Sequence, residues 1–256
     1  MVHRIAFAAC LVSLAAFGQD KPDLTLDQII QKHVDALGGM DKLKAITTFS
    51  ATGKATMNGG QMVAALVMQM KRPSSMRVEM TIQGKKIVQG FDGATAWMLN
   101  PLTGLDTPQK ANAEDTQEMK NSADIDFSSL VDYKAKGNTV ELAGMEDVEG
   151  SPAYKLKVTK RNGRVEYDYL DAKTFLPVKS TTKRKQMGTE IEIDAFPANY
   201  KPINGVLFPF TVDQKTGGKS MVQLTIEKVD VNVPIDDARF HMPEKPKEEP
   251  VKTEKP

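Results

Sequence analysis

The sequence predicts a mainly β protein with helices: one antiparallel sheet of about ten or eleven strands wrapped around an N-terminal helix and a mid-chain helical lid. Three observations carry that expectation. Apolar residues recur with a 3.6-residue period over Leu24–Leu37 and with a period of two from Ile46 onward. The alternating runs are joined by tight turn signals such as Gly84-Lys85 and Asp92-Gly93. Between Pro101 and Lys136 the alternation stops and polar helix formers replace it. A two-layer sandwich would also use the strands. The amphipathic helices favour a single curved sheet, because their apolar stripes need a sheet face to cover them.

The chain begins with the marks of an export signal. Arg4 supplies a positive start, Ile5–Phe17 is a short apolar core, and Ala16-Phe17-Gly18 offers a small-x-small cleavage site. Residues 1–18 are therefore expected to be removed, and the mature protein to act in the periplasm. That apolar stretch is shorter than the roughly eighteen residues a membrane span needs. The single cysteine, Cys10, lies inside it. Phe7-Ala8-Ala9-Cys10 imitates a lipoprotein cleavage box only loosely, so lipid anchoring at Cys10 is disfavoured. Ordinary cleavage leaves no thiol, which excludes disulfides and cysteine nucleophiles.

The 256-residue chain carries 34 basic and 33 acidic side chains, and its mature form, without Arg4, is balanced. No global field draws nucleic acid or an anionic membrane surface. Residues 19–242 suit a single domain. Residues 243–256, rich in Pro, Lys and Glu, have too little apolar surface to offset their ordering entropy and are expected to be a disordered tail.

Within the domain, Thr25 can cap the first helix with Gln28 as its capping-box partner. Leu26, Ile29, Ile30, His33, Val34 and Leu37 form its apolar stripe, Gly38-Gly39 stops it, and a short helical turn at Asp41–Ala45 follows. Strands come next, with Met62, Ala64, Leu66, Met68 and Met70 on one face, then Met76, Val78, Met80 and Ile82 facing inward against Arg77, Glu79, Thr81 and Gln83. In the interruption, Asn112–Ala123 favours helix, and Asp126 is expected to cap a further helix carrying Phe127, Leu130 and Val131. Strands resume through Tyr154–Val158, Val165–Tyr169, Phe175–Lys183, Ile191–Ala195, Val206–Val212 and Met221–Val233. In the last, the apolar phase shifts after Ile226, which predicts a β-bulge near Glu227-Lys228.

Catalytic patterns are missing from the sequence. His33 sits on the apolar stripe and His241 near the end, with no HExxH, nucleophile elbow, P-loop or GxGxxG. Glu190, Glu192 and Asp194 alternate with Ile191 and Ile193 and read as the solvated face of a strand. The reading is of a protein that is not an enzyme and needs no cofactor. Methionine stands out: seven of the fourteen lie between Met57 and Met98. Five of them, Met62, Met68, Met70, Met76 and Met80, fall on inward faces, where flexible thioethers can fill an ordinary core or adapt to a ligand.

Lys71-Arg72-Pro73, Met76-Arg77 and Asp92-Gly93-x-x-x-Trp97-Met98-x-Asn100-Pro101 resemble, in order and spacing, the lipoprotein carriers of the Lol system. The likeness is most specific over residues 60–101. Tyr154–Pro177 and Asn204-Gly205-Val206-Leu207-Phe208-Pro209 resemble the broader outer-membrane lipoprotein-sorting relatives more loosely. The resemblance implies an incomplete β-barrel closed by helices around a cavity for the acyl chains of lipoproteins or free lipids. It implies a monomer that meets donor and acceptor proteins of the envelope. The residues expected to line the cavity are Met62, Leu66, Met68, Met70, Met76, Val78, Met80, Ile82, Phe91 and Trp97. Arg72 matches the arginine that latches the lid through helix carbonyls. The same fold also serves a lipoprotein-sensing regulator of envelope stress and a glycolipid carrier, so a regulatory module is the alternative. The Ala36–Gly39 exit, the longer C-terminal half and the tail depart from the dedicated carriers.

Overall fold

A computed structural model describes residues 24–126, 128–186 and 189–244. The expected signal segment with Cys10, the residues beyond 244 and Phe127 lie outside them.

Thirteen antiparallel strands form one open, curved sheet. They are β1 (Thr48–Met57), β2 (Met62–Lys71), β3 (Ser75–Ile82), β4 (Lys85–Phe91), β5 (Ala96–Asn100), β6 (Leu105–Lys110) and β7 (Thr139–Val148). After them come β8 (Ser151–Thr159), β9 (Val165–Asp171), β10 (Pro177–Gln186), β11 (Thr189–Ile203), β12 (Val206–Thr216) and β13 (Lys219–Val231). Their spatial order is β6-β5-β4-β3-β2-β1-β13-β12-β11-β10-β9-β8-β7. The chain therefore walks outward from β1 to one edge, crosses to the far edge at β7, and walks back until β13 closes on β1. Residues 111–138 make the crossing. They must traverse a whole sheet face, which is why the alternation breaks there.

The sheet has two strands more than the upper expectation. Neither edge strand, β6 (LDTPQK) or β7 (TVELAGMEDV), stands out in the sequence. Each has one neighbour, so the backbone groups along its outer edge pair with no strand, and Pro108 is tolerated at such an edge. In the β13–β1 pairing Lys228 faces Thr52 and Ile226 faces Gly53, which leaves Glu227 as the bulge that the phase shift predicts.

Helix α1 (Leu26–Leu37) begins as its sequence dictates. The Thr25 hydroxyl accepts from Gln28 N at 3.3 Å and Gln28 Oε1 accepts from Thr25 N at 2.8 Å. All of Ile29, Ile30, His33, Val34 and Leu37 are buried. Gly38 ends the helix at φ +125°, and a Cβ there would stand 2.2 Å from Gly205 O in the β11–β12 turn. Both the conformation and the contact demand glycine. Helix α2 (Met40–Lys44) and helix α3 (Ala113–Ser122) follow, close to their expected positions.

The helix expected after Asp126 does not form; residues 128–137 are a string of turns. Two physical reasons stand out. Asp126 spends its carboxylate on Arg72 and Lys136 instead of on backbone N–H groups. Asp132 sits at φ +55°, outside the right-handed helical region.

α1, α2, α3 and the 124–137 turns cover the concave face. Val34, Leu37, Leu43, Met119, Ile125 and Val131 pack with Phe49, Met70, Met76, Phe91 and Phe208 in the principal core. The convex face carries its own cover. Residues 235–240 fold back over β2–β5, where Phe240 is 1% exposed and its carbonyl accepts from Trp97 Nε1 at 2.7 Å. Glu79 is buried beneath this strap and binds Arg77 at 2.6 Å, Lys86 at 2.9 Å and Arg239 at 2.9 Å. Burial alone would raise its pKa, but the hydrogen bonds and charges of Arg77 and Lys86 win and pull it down to about 2.

Candidate functional site

Arg72 stands at the end of β2, and its guanidinium fork reaches across to the cover. Nε donates to Ile46 O at 2.7 Å and Nη2 to Leu43 O at 3.2 Å, carbonyls at and just past the C-terminus of α2. Nη2 also donates to Asp126 Oδ1 in the crossing segment. The Arg72–Pro73 peptide is cis. One side chain thus ties the sheet to both halves of the cover, as five fixed donors allow. Lys136 joins the cluster, holding Asp126 at 2.8 Å and Asp124 at 2.6 Å. Burial pushes the Asp126 pKa upward, but its bonds to Arg72 and Lys136 outweigh that and hold it below the usual carboxylate value.

His33 supplies a second tie. It is fully buried on α1, with Nδ1 at 2.9 Å from Phe175 O and Nε2 at 2.9 Å from Ser128 Oγ. A carbonyl can only accept, so Nδ1 carries the proton and Nε2 accepts from the serine. Burial lowers its pKa to about 4, against a smaller upward pull from the Phe175 carbonyl. The residue is neutral at physiological pH and structural: it pins α1 to the β9–β10 turn and to the crossing segment.

Between this cover and β9–β12 lies a cavity of about 380 Å³. That is within the size range of small-molecule sites, toward its lower end. Leu37, Leu43 and Ile46 close one side, Ile125 and Leu130 the top, and Leu170, Val206, Phe208 and Val212 the sheet side. Polar side chains also line it, among them Asn121, Ser128 and Ser129 from the cover and Glu166, Asp168 and Thr182 from the sheet. Asp168, on the concave face of β9, accepts a short hydrogen bond from Ser129 Oγ. Burial and the nearby Glu166 charge raise its pKa to about 6, only partly offset by Ser129 and Lys160. Among the described residues no cation stands within 4 Å of Asp168, and no group of three or more His, Cys, Asp or Glu is placed to hold a metal ion.

The expected lining residues lie elsewhere. Met70, Met76 and Phe91 sit in the principal core with Met68 and Val78 packed against it, pressed under the helices. Met62, Met80 and Ile82 form a separate cluster with Ala55 and Ala64 near the far ends of the strands. Leu66 is buried opposite Met80. None of them borders the cavity. Trp97 is on the other face altogether: it pairs with Gly90, where a Cβ would stand 2.3 Å from the indole. Its ring underlies Arg77 and anchors the C-terminal strap.

The cavity wall was hidden by β9 itself. Its tyrosines look like the inward set, yet Tyr167 and Tyr169 lie on the convex face with Phe196, under Lys155, Lys179 and Lys215. The inward set is Glu166, Asp168 and Leu170, paired across β10 with Thr182, Ser180 and Pro177. The signal available in the sequence was size. Ser180, Thr182 and Ala195 follow one another across the concave face as small side chains, and small side chains leave space.

No protein-family model matches the sequence, and the comparison with curated proteins finds no match. Solved structures do match in shape. A DUF1329 family protein from Desulfovibrio piger aligns with a TM-score of 0.56 at 13% identity, over 83% of this chain and 97% of its own. A putative outer membrane lipoprotein-sorting protein domain from Vibrio parahaemolyticus gives 0.55 at 12%, over 83% and 94%. A LolA superfamily protein from Nitrosomonas europaea gives 0.53 at 13%, over 85% and 98%. At such identities the likeness is one of fold alone: an open, curved antiparallel sheet with helices over its concave face. No helix among the described residues is long and apolar enough to cross a membrane.

Proposed function

We propose that the protein is an envelope carrier that holds the acyl chain of a lipoprotein or lipid between its sheet and its helical cover. The observation that carries this reading is a mostly apolar cavity roofed by α1, α2 and the crossing segment, which Arg72 latches to the sheet. The fold shared with lipoprotein-sorting proteins supports it by analogy. Each methylene buried contributes about 0.8 kcal/mol, so even part of a chain gives useful affinity. Release of Arg72 would let the roof lift and lengthen the space, and its return would expel the chain toward an acceptor. Binding at equilibrium, without chemistry, is all this geometry requires.

The test is uptake of a fluorescent fatty acid by the mature protein, compared with Ala195→Phe. Ala195 borders the cavity, so a ring there fills space that is empty and strains little else. Wild type should bind, and the variant should lose at least about ten-fold in affinity while its stability moves by less than about 1 kcal/mol. A folded wild-type protein that takes up no acyl chain overturns the proposal.

A further inference from the structure

Next to the α3 C-terminus the cavity continues into a second chamber of about 250 Å³, which shares Asn121, Ser122, Lys160, Glu166, Thr182 and Ala195 with it. The character of the wall changes there. Lys160, Arg164 and Arg184 face Glu118 and Glu166, three cations against two carboxylates. Lys160 binds Glu166 at 2.7 Å, and Arg164 Nη1 donates to both oxygens of Glu118 at 2.7 and 2.8 Å. Arg184 is exposed at the rim, with no carboxylate within 4 Å among the described residues.

Two donors in this wall remain unmatched. Asn121 Nδ2 and Arg164 Nε are the buried side-chain polar atoms among the described residues that have no hydrogen-bond partner. Both belong to this chamber. Folded proteins seldom leave buried donors unmade, and two in one pocket call for a common explanation. The Asn121 amide cannot escape by turning over. Its Oδ1 accepts from Gln117 Nε2 at 3.0 Å and from Asn162 Nδ2 at 3.5 Å, and the Asn162 amide is itself oriented by Arg164 N, which donates to its Oδ1 at 3.1 Å, so a reversed Asn121 would set N–H against N–H. What this second chamber leaves over is therefore of one kind, N–H donors and a surplus positive charge, beside a cavity that is mostly apolar but holds the Asp168 carboxyl on its far wall.

We infer that this chamber receives the anionic, acceptor-rich head group of an amphiphile, a phosphate or carboxylate, whose chain enters the apolar cavity. The inference rests on the carrier reading and adds the class of lipid to it. A cationic head would meet three like charges, and a head without acceptors would leave both donors unmatched. A phosphate offers oxygens to Asn121 and Arg164 at once, and Arg164 can hold it while still engaged with Glu118.

The experiment displaces the fluorescent fatty acid from the mature protein with two lipids of the same single palmitoyl chain, a lysophosphatidic acid and a neutral monoacylglycerol. Wild type should prefer the phosphate by about ten-fold or more, since hydrogen bonds to a charged group are the strong ones. In Asn121→Leu and Arg164→Met that preference should fall to about three-fold or less while the neutral lipid keeps its affinity. Arg184→Gln, at an exposed position that cannot upset the fold, should lower it by about two-fold. Glycerol phosphate, lacking the tail, should fail to displace. Equal displacement by both lipids in wild type, an unchanged preference in every variant, or displacement by the tail-less ester as effective as by the lipid would overturn the inference while leaving the carrier reading intact. Failure of the protein to take up the fatty acid at all removes both.

Discussion

Strands β2–β4 present Met68, Met70, Met76, Val78 and Phe91 to the helices, whereas β9–β11 present Glu166, Asp168, Ser180, Thr182 and Ala195 to the same cover. The first half is plugged and the second is hollow. Long flexible side chains on a concave face reach the helices and fill the gap themselves. Short side chains cannot reach, and a few polar ones deter the cover from collapsing further, because a buried charge without a partner is costly. In this sheet the greasiest stretch therefore marks where the helices dock, and the cavity opens beside it.

The sharpest contrast should come from truncation in the plugged half. Phe91 is 2% exposed under the helices, so Phe91→Ala should cost about 3–5 kcal/mol of stability in denaturant unfolding and leave acyl affinity nearly unchanged. A large loss of affinity in the folded variant would break the division between the halves. Arg72→Leu comes next. It strips Asp126 of its closest cation and frees the Leu43 and Ile46 carbonyls, at a cost of roughly 2 kcal/mol because the arginine is partly exposed. Hydrogen exchange should accelerate over residues 40–46 and 124–137, and acyl uptake should speed up. Unchanged protection there would show that the latch does not hold the roof.

Of similar size, and opposite in sign, is Asp168→Asn. The folded-state pKa of Asp168 lies above its unfolded value, so folding binds this proton and stability falls as pH rises from about 4 to about 6. The amide removes that penalty. The variant should be more stable than wild type by about 1–3 kcal/mol at pH 7, with the advantage fading toward pH 4. His33 acts in the other direction over much the same window: its lowered pKa means stability is present above about 6.5 and is lost as pH falls toward about 4. Wild type should consequently show a shallow pH dependence that becomes steeper in Asp168→Asn, as thermal unfolding at a series of pH values would reveal.

Much of this architecture was legible in the chain. The capping box at Thr25 and Gln28, the glycine stop, the inward face of β3 and the bulge at Glu227 all follow from periodicity and local stereochemistry, and each is present. Arg72 was legible by resemblance, with the Leu43 and Ile46 carbonyls as its targets. What stayed hidden depends on what lies opposite. Trp97 resembles a cavity residue until the strap ending at Phe240 covers it, and that contact joins positions 143 residues apart. The turns after Asp126 replace a helix because Lys136 and Arg72 claim its carboxylate. The cavity is a property of side chains too short to meet, and no run of apolar letters spells that out.

The most direct test of the two-halves account is to map where a bound chain lies. A fatty acid bearing a photoreactive diazirine near its tail should, after irradiation and peptide mass spectrometry, label the walls around Leu130, Leu170 and Val212 and leave Met68, Met76 and Phe91 unmarked. Label concentrated on the methionine strands, with the β9–β12 wall untouched, would contradict the account.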